Sequence, residues 1–429
     1  MRRAAVIGAG AAGLSAAKHL LHAGLDVTVH ELGSRIGGLW VYGNDNGLSP
    51  AYQSLHLNSE NRVTAYKDFP FPDGTPLYPD HVQVAAYLDA YARQFGVLPH
   101  VRFNAGVASV RRDGAGWQVG LQDGSASAFD AVVVASGHQG VPKHPPFRGD
   151  FTGEYLHSHA YRVPEPFRGK RVLVVGAGNS ACDIAADICP VTASCTMAAR
   201  SPVLMMPRMF LGVPTARVLA RVEKPWMPWP LRRRIRELIS RMAHGRMEQW
   251  GFTTPRTRTH PAGHHLLMAQ FVWGRVGAKP GIASVHGTTV RFTDGSAADY
   301  DTMIAATGYE VDLPFLDAGA SPVRGHWLDL YRRVVRPGHP GLYFAGFFNV
   351  TGGGNIRMMD DQATWIAALE TGAAGLPGAA AMQADILRER AAITRLYPDS
   401  PRYGLELDPV QYRRDLGDAM SNRRRATQP

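Results

Sequence analysis

Short apolar runs alternate with amphipathic stretches along this chain, and the alternation occurs twice. Ala4-Ala5-Val6-Ile7 is a compact apolar run that ends in Gly8-Ala9-Gly10-Ala11-Ala12-Gly13. Its length suits a buried strand entering a tight turn. Leu14–Ala23 carries apolar residues at helical spacing and stops at Gly24. The β-branched run Val27-Thr28-Val29-His30 then predicts a second strand, closed by Glu31. The same order returns later: strand Arg171–Val175, turn Gly176-Ala177-Gly178-Asn179-Ser180-Ala181, helix Cys182–Ile188, strand Ser194–Ala199, then Arg200. A second echo supports internal duplication. Asp123-Gly124-Ser125 leads into the apolar run Ala131–Ala135, and Asp294-Gly295-Ser296 leads into Thr302–Ala306. Each predicts a hairpin followed by a buried strand that ends in a small-residue turn.

This pattern predicts an α/β fold with two Rossmann-like dinucleotide-binding domains, built in three βα layers with β-meander insertions. Residues 1–140 form the first domain, and a third pattern beginning near Leu330 completes it over 325–410. The Pro-rich stretch 141–168 is a linker. Residues 169–324 form the second domain, interrupted by a Pro-, Trp- and Arg-rich insertion at about 207–265 with a basic helix from about Leu231 to Met247. Residues 411–429 read as a basic tail, its last dozen residues expected to be disordered.

Composition narrows the class. The chain has 429 residues, 45% hydrophobic and 19% charged, enough for sizeable cores and against wholesale disorder. Three cysteines exclude a disulfide framework. No apolar run is long enough to span a bilayer. The apolar start meets its glycines too soon for a secretion signal, so a soluble cytoplasmic protein is expected. The net charge of +10 gathers at Arg232, Arg233, Arg234 and Arg236 and at Arg423, Arg424 and Arg425. No nucleic-acid motif accompanies these arginines, so they read as a solvated helix face and a frayed end, with neither nucleic acid nor membrane as partner. The insertion can shape substrate access or a subunit contact, a homodimer included.

The glycine loops carry the chemistry. In the first, Gly8 permits the turn, Gly10 lets backbone approach a pyrophosphate, and Gly13 lets the helix pack on the strand. The N–H groups of Ala11 and Ala12 open the helix toward an anion. Glu31, 23 residues after Gly8, is placed to accept from an adenosine ribose. This site suits FAD. In the second loop Gly176, Gly178, Asn179, Ser180 and Ala181 play the corresponding parts, and Arg200 follows Gly176 by 24 residues. An arginine there attracts a 2′-phosphate, so the second ligand is expected to be NADPH.

Two dinucleotide sites in one chain imply electron transfer between cofactors, and the acceptor beyond the flavin is then the question. Cys182, Cys189 and Cys195 contain no C-x-x-C pair, which weakens a dithiol acceptor. Cys182 reads as a packing residue. His260, His264 and His265 lack acidic or Cys companions, so no metal site is expected. Molecular oxygen remains.

Phe151-x-Gly153-x-x-x-His157-x-x-x-Tyr161 resembles the fingerprint of class B flavin-dependent monooxygenases, of the flavin-containing, heteroatom-oxygenating type. Gly37-Gly38-Leu39-Trp40 resembles the family's flavin-contacting segment, and Leu57-Asn58-Ser59 its active-site asparagine stretch. Ala306-Thr307-Gly308-Tyr309 resembles its A-T-G-Y motif, and Asp361-Gln362-Ala363-Thr364-Trp365 a late flavin-side segment.

The resemblance implies an FAD- and NADPH-dependent monooxygenase that takes O₂ and a small-molecule substrate. A C4a-(hydro)peroxyflavin would hand one oxygen atom to a nitrogen or sulfur centre. It implies Asn58 as the catalytic residue, and Gly38, Leu39, Trp40, Leu57, Asn58, Ser59, Thr307, Gly308 and Gln362 as cofactor contacts. The fingerprint serves either catalysis or the joining of domains. Tyr161, where commoner Baeyer–Villiger enzymes carry Trp, favours heteroatom oxygenation. Ketone oxygenation, or an NADPH oxidase-like flavoprotein without oxygenation, stays open as the alternative.

Overall fold

The computed structural model describes all residues except 225, 351–353, 398–399 and 422–429. The chain divides into two units. The first comprises Met1–Ser49, Asn61–Val141 and the chain from Glu310 onward; the second comprises Pro50–Glu60 and Pro142–Tyr309. The second unit therefore includes a short segment, 50–60, from deep inside the amino-terminal third of the sequence.

The first unit is built on a five-stranded sheet in the order Leu342–Phe344, Ala131–Val134, Arg3–Ile7, Asp26–His30, Val101–Arg102, all parallel. Both faces of such a sheet need covering, which explains the unbroken apolar runs Ala4–Ile7 and Ala131–Val134, every residue of them buried. The Ala11–His22 helix follows the first strand, and its Ser15 Oγ and His19 Nε2 each lie 2.8 Å from Asp360 Oδ1 on the Asn355–Glu370 helix. Trp117, Leu316, Leu330 and Phe344 belong to one core on this sheet, so the chain after Glu310 packs with the amino-terminal strands.

The second unit repeats the plan. Its sheet runs Glu154–His157, Thr302–Ala305, Arg171–Val175, Ser194–Ala198, Val276–Lys279, again all parallel. Each unit adds a three-stranded antiparallel sheet: Val107–Asp113, Gly116–Leu121 and Ala126–Phe129 in one, Ile282–His286, Thr289–Phe292 and Ala297–Asp299 in the other. The duplication reaches single hydrogen bonds. Asp123 Oδ1 takes the Ser125 amide at 2.9 Å, and Asp294 Oδ1 takes the Ser296 amide at 3.0 Å. Asp130 and Asp301 each accept the amide that opens a central strand, from Arg3 and Arg171, at 2.7 Å.

The insertion is folded. Its Ala262–Gly263 strand pairs with Met205–Met206 just before it, and it holds the hairpin Met209–Phe210 with Val213–Pro214 and the helices Thr215–Val222 and Trp229–His244. The basic helix thus starts two residues earlier than the periodicity suggests and ends at Gly245, whose φ of 76° breaks it. Arg236 is not merely solvated, because its guanidinium pairs with Glu223 at 2.6 Å. The expected tail also begins inside structure. Pro409–Ser421 is a helix, with Tyr412, Leu416 and Ala419 buried, while Arg423, Arg424 and Arg425 lie outside the described residues. Among the described residues no helix is long and apolar enough to cross a membrane.

Candidate cofactor and active site

The first cradle lies where the central strand of the first unit meets its helix. Gly8 has φ 102°, and a Cβ there would sit 2.7 Å from the Ala135 carbonyl oxygen. A Cβ on Gly13 would lie 1.8 Å from the Gly8 carbonyl oxygen, so the helix touches the strand end only because that residue has no side chain. Gly10 precedes the Ala11–His22 helix without a side-chain cap, and no acidic residue occupies the first turn. The N–H groups of Ala11 and Ala12 are therefore left without intrahelical acceptors at the positive end of the helix dipole, an arrangement that suits an anion. Gly38 faces Gly10, since a Cβ on Gly38 would lie 3.1 Å from the Gly10 Cα. Gly37 donates its N–H to the Ala9 carbonyl at 3.1 Å, which holds the Gly38–Trp40 turn beside the loop. Leu39 is partly exposed there. Bare backbone on two sides, with no side chain between, fits a pyrophosphate.

Glu31 is buried and braces this loop. Its Oε2 accepts from the Ala9 amide at 2.7 Å, and its Oε1 from the Gly33 amide at 2.9 Å. Oε1 also accepts from Asn46 Nδ2 at 3.2 Å, so Oε2 is the oxygen that keeps acceptor capacity for a ribose hydroxyl. Gln362 has no exposed surface. Its Oε1 accepts from the Gly346 amide at 2.9 Å and its Nε2 donates to the Tyr412 hydroxyl at 2.7 Å. A Cβ on Gly346 would lie 3.0 Å from the Ala12 Cβ, so Gln362 serves the cradle by holding the backbone packed against it.

The second cradle copies the first. Gly176 has φ 127°, and a Cβ there would lie 2.4 Å from the Ala306 carbonyl oxygen. Gly178 precedes the Asn179–Ile188 helix, again without a side-chain cap or an acidic first turn. The N–H groups of Asn179, Ser180 and Ala181 open it, and the Ala181 methyl is buried in the core. Asn179 Oδ1 accepts from the Gly263 amide at 3.1 Å, which ties the loop to the insertion. The strand registers align Ile7 with His30 and Val175 with Ala198. Glu31 therefore follows its strand directly, while Arg200 stands one residue further along. Arg200 is exposed, packed beside Gly281. Thr307 Oγ1 donates to the Lys143 carbonyl at 2.5 Å, and the Gly308 carbonyl accepts the Lys143 amide at 3.0 Å, so the A-T-G-Y turn pins the start of the linker.

The fingerprint falls on the edge of the second sheet. Phe151 belongs to the core beside Leu173 and Met303, and a Cβ on Gly153 would lie 2.7 Å from the Asp301 carbonyl oxygen. His157 closes the edge strand and its Nδ1 accepts the His159 amide at 3.1 Å; burial, with His144 adding to it, brings its pKa down to about 4 and keeps it neutral. Tyr161 is buried and its hydroxyl donates to Asp187 Oδ2 at 2.5 Å. Each of these contacts packs or ties the fingerprint within the second unit, and the buried His157 Nε2 has no hydrogen-bond partner among the described residues.

Asn58 lies in the 50–60 segment of the second unit. Tyr52 donates to Asp183 Oδ2 at 2.5 Å and Ser54 to Asp187 Oδ2 at 2.8 Å, so two carboxylates one helical turn apart hold the segment on the Asn179–Ile188 helix. Leu57 is buried, Ser59 half-buried and Asn58 exposed. The Asn58 Oδ1 accepts from Arg208 Nη2 at 2.9 Å. Glu60, almost fully buried, pairs with Arg217 at 2.5 Å. Sequence reasoning missed both arginines, since single residues in an irregular insertion carry no pattern. The one available signal was the Asp183 and Asp187 spacing, two acids one turn apart on a short helix.

Cys182, Cys189 and Cys195 are buried and not in disulfides, and Cys182 Sγ packs 3.9 Å from Met205 Sδ. His264 is engaged elsewhere: its Nδ1 accepts the Leu267 amide at 2.8 Å and its Nε2 lies 3.1 Å from Asp183 Oδ1.

Comparison with known proteins shows the family. Residues 1–425 match the family described as flavin-binding monooxygenase-like. Human flavin-containing monooxygenase 3 is 31% identical over 411 residues, 90% of this chain and 76% of that protein. Flavin-containing monooxygenase 5 of Oryctolagus cuniculus is 29% identical, with 98% of this chain and 83% of that protein covered. The S-allyl-L-cysteine S-oxygenase of Allium sativum superposes with a TM-score of 0.75 at 26% identity, covering 98% of this chain and 89% of that one. A cyclohexanone monooxygenase shares the fold at 18% identity and a TM-score of 0.68, over 97% of this chain and 98% of that one. With two glycine cradles in duplicated α/β units and a family match over nearly its whole length, the chain belongs to the flavin-binding monooxygenase-like family, as an FAD-dependent NADPH monooxygenase.

Proposed function

We propose that the enzyme oxygenates a soft nitrogen or sulfur centre of a small molecule, with FAD in the first cradle, NADPH in the second, and Asn58 as the residue that serves oxygen transfer. The observation that carries the reading is the difference between two otherwise matched cradles. One strand end offers the Glu31 carboxylate, suited to a ribose; the other offers the exposed Arg200 guanidinium, suited to a 2′-phosphate. When bound, the flavin supplies the electrons and the site at which O₂ is activated.

The chain's own residues bind, orient and exclude. Ala11, Ala12, Asn179, Ser180 and Ala181 present N–H groups to phosphates. Gly38, Leu39 and Trp40 form the turn against the first cradle. Leu57 anchors the segment in the core so that Asn58 is offered outward with an amide that can donate. No strong acid–base pair is needed, and His157, held neutral, is not one. The S-oxygenase among the similar structures supports a sulfur or nitrogen substrate. Three buried cysteines outside any disulfide suit a reducing cytoplasm.

The test offers thioanisole, N,N-dimethylbenzylamine and cyclohexanone to FAD-loaded protein with NADPH in air, and reads product mass beside peroxide. Sulfoxide or N-oxide is expected. Lactone alone would move the assignment to ketones, and peroxide matching NADPH with every compound would end it.

A further inference from the structure

Asn58 does not orient itself. An exposed asparagine amide rotates freely and offers either its oxygen or its nitrogen to a ligand. Here the oxygen is taken: Arg208 Nη2 donates to Asn58 Oδ1 at 2.9 Å, and a guanidinium has only donors, so the facing atom must be the oxygen. Among the described residues no side-chain donation by the Asn58 Nδ2 is seen, which leaves that group turned to whatever binds.

The arginine is held in turn. Its side chain is only 8% exposed although Asn58 is on the surface. Its Nε donates to the Gly263 carbonyl at 3.3 Å, and Asp183 Oδ1 lies 3.7 Å from Nη2 and balances the charge. The Gly263 amide donates to Asn179 Oδ1 at 3.1 Å, and Asn179 is the first residue of the helix that opens the second cradle. Asn179, Gly263, Arg208 and Asn58 thus form one hydrogen-bonded chain from the cofactor loop to the reaction asparagine. A buried, triply engaged guanidinium is stiff where a loop asparagine is not.

We infer that Arg208 is a positioning residue, which locks the Asn58 amide with its oxygen inward so that Asn58 meets nucleotide and oxygenation chemistry only as a hydrogen-bond donor. The inference rests on the proposed role of Asn58 and adds to it the residue that sets its polarity, supplied by the insertion.

The experiment compares wild type with Arg208→Met, Arg208→Lys, Asn58→Leu and the Arg208→Met/Asn58→Leu pair, all loaded with FAD. Two quantities are read: the NADP⁺ dissociation constant, from the flavin absorbance change on titration, and peroxide released per NADPH without substrate. Asn58→Leu is expected to weaken NADP⁺ and raise peroxide by about tenfold. Arg208→Met should approach that effect, Arg208→Lys should fall between, and Arg208→Met should add almost nothing once Asn58 is Leu. If the two single effects multiply in the pair, or Arg208→Met lowers only thermal stability, the inference is wrong while the role of Asn58 stands. If Asn58→Leu changes neither quantity, the role of Asn58 fails and the inference with it. Should Arg208→Met not fold, Arg208→Lys and Arg208→Gln carry the same comparison.

Discussion

The hydroxyl of Tyr161 donates to Asp187 Oδ2 at 2.5 Å, which joins the last residue of the fingerprint to the helix that opens the second cradle. Burial and the Asp187 charge push the Tyr161 hydroxyl far above its ordinary pKa, so it stays a donor. Ser54 shares the same carboxylate oxygen. These contacts fasten Tyr161 within the second unit. Tyr161→Phe should lower stability by about 1–2 kcal/mol in urea unfolding, Ser54 retaining part of the satisfaction of Asp187. Intact stability with oxygen transfer lost would instead show a direct catalytic part.

Gly13 tests the first cradle. With only 1.8 Å between its notional Cβ and the Gly8 carbonyl oxygen, Gly13→Ala must push helix from strand. Purified Gly13→Ala should retain little FAD, read as flavin absorbance per protein, and added FAD should restore it poorly. Gly24→Ala is the control for a glycine replaced without a clash, because nothing lies within 4 Å of its Cβ position, although its φ of 82° adds a backbone strain that helical Gly13 lacks. Equal FAD content in the two variants would refute the steric argument.

Arg200 tests the second cradle. Removing one charge-assisted contact is worth about 1.5–3 kcal/mol, so Arg200→Ala should raise KM for NADPH roughly tenfold to a hundredfold and leave NADH nearly unchanged. Equal losses for both nucleotides would remove the case for a 2′-phosphate contact.

Acid stability follows from buried histidines. His30 is 3% exposed with no hydrogen-bond partner for either ring nitrogen among the described residues, and burial, with Arg102 adding to it, brings its pKa down to about 4. In the unfolded chain it titrates near about 6.5, so the unfolded state binds the extra proton between those values. Its contribution is full above about pH 6.5 and is lost as the pH falls toward 4, on the order of 3 kcal/mol. His30→Leu should flatten the fall in stability across that window. An unchanged slope would show that His30 takes its proton in the folded state at its ordinary pKa.

Both glycine loops, their strands and the doubled DGS hairpins were legible because they obey local rules. A central parallel strand must be apolar throughout, and a helix that meets a phosphate must begin with residues lacking side chains in the way. Boundaries shifted by a few residues: the helices start at Ala11 and Asn179 rather than Leu14 and Cys182, because residues of the glycine turns already have helical geometry. Gln362 stood in a flavin-side motif, and one lone pair and one N–H of its amide are taken by Gly346 and Tyr412. A motif shows where a residue lies and not which of its atoms are still free.

The sequence by itself determined the two α/β units, the order of their strands' motifs and the contrast between Glu31 and Arg200, since each depends on residues within about two dozen positions of one another. Only the tertiary structure decided that the 50–60 segment belongs to the second unit, and that Arg208 reaches Asn58 across 150 positions of chain. Such contacts arise where separate segments converge on one helix face. Their energy comes from satisfying buried carboxylates and a buried guanidinium, a requirement of three-dimensional packing that leaves no periodic trace along the chain.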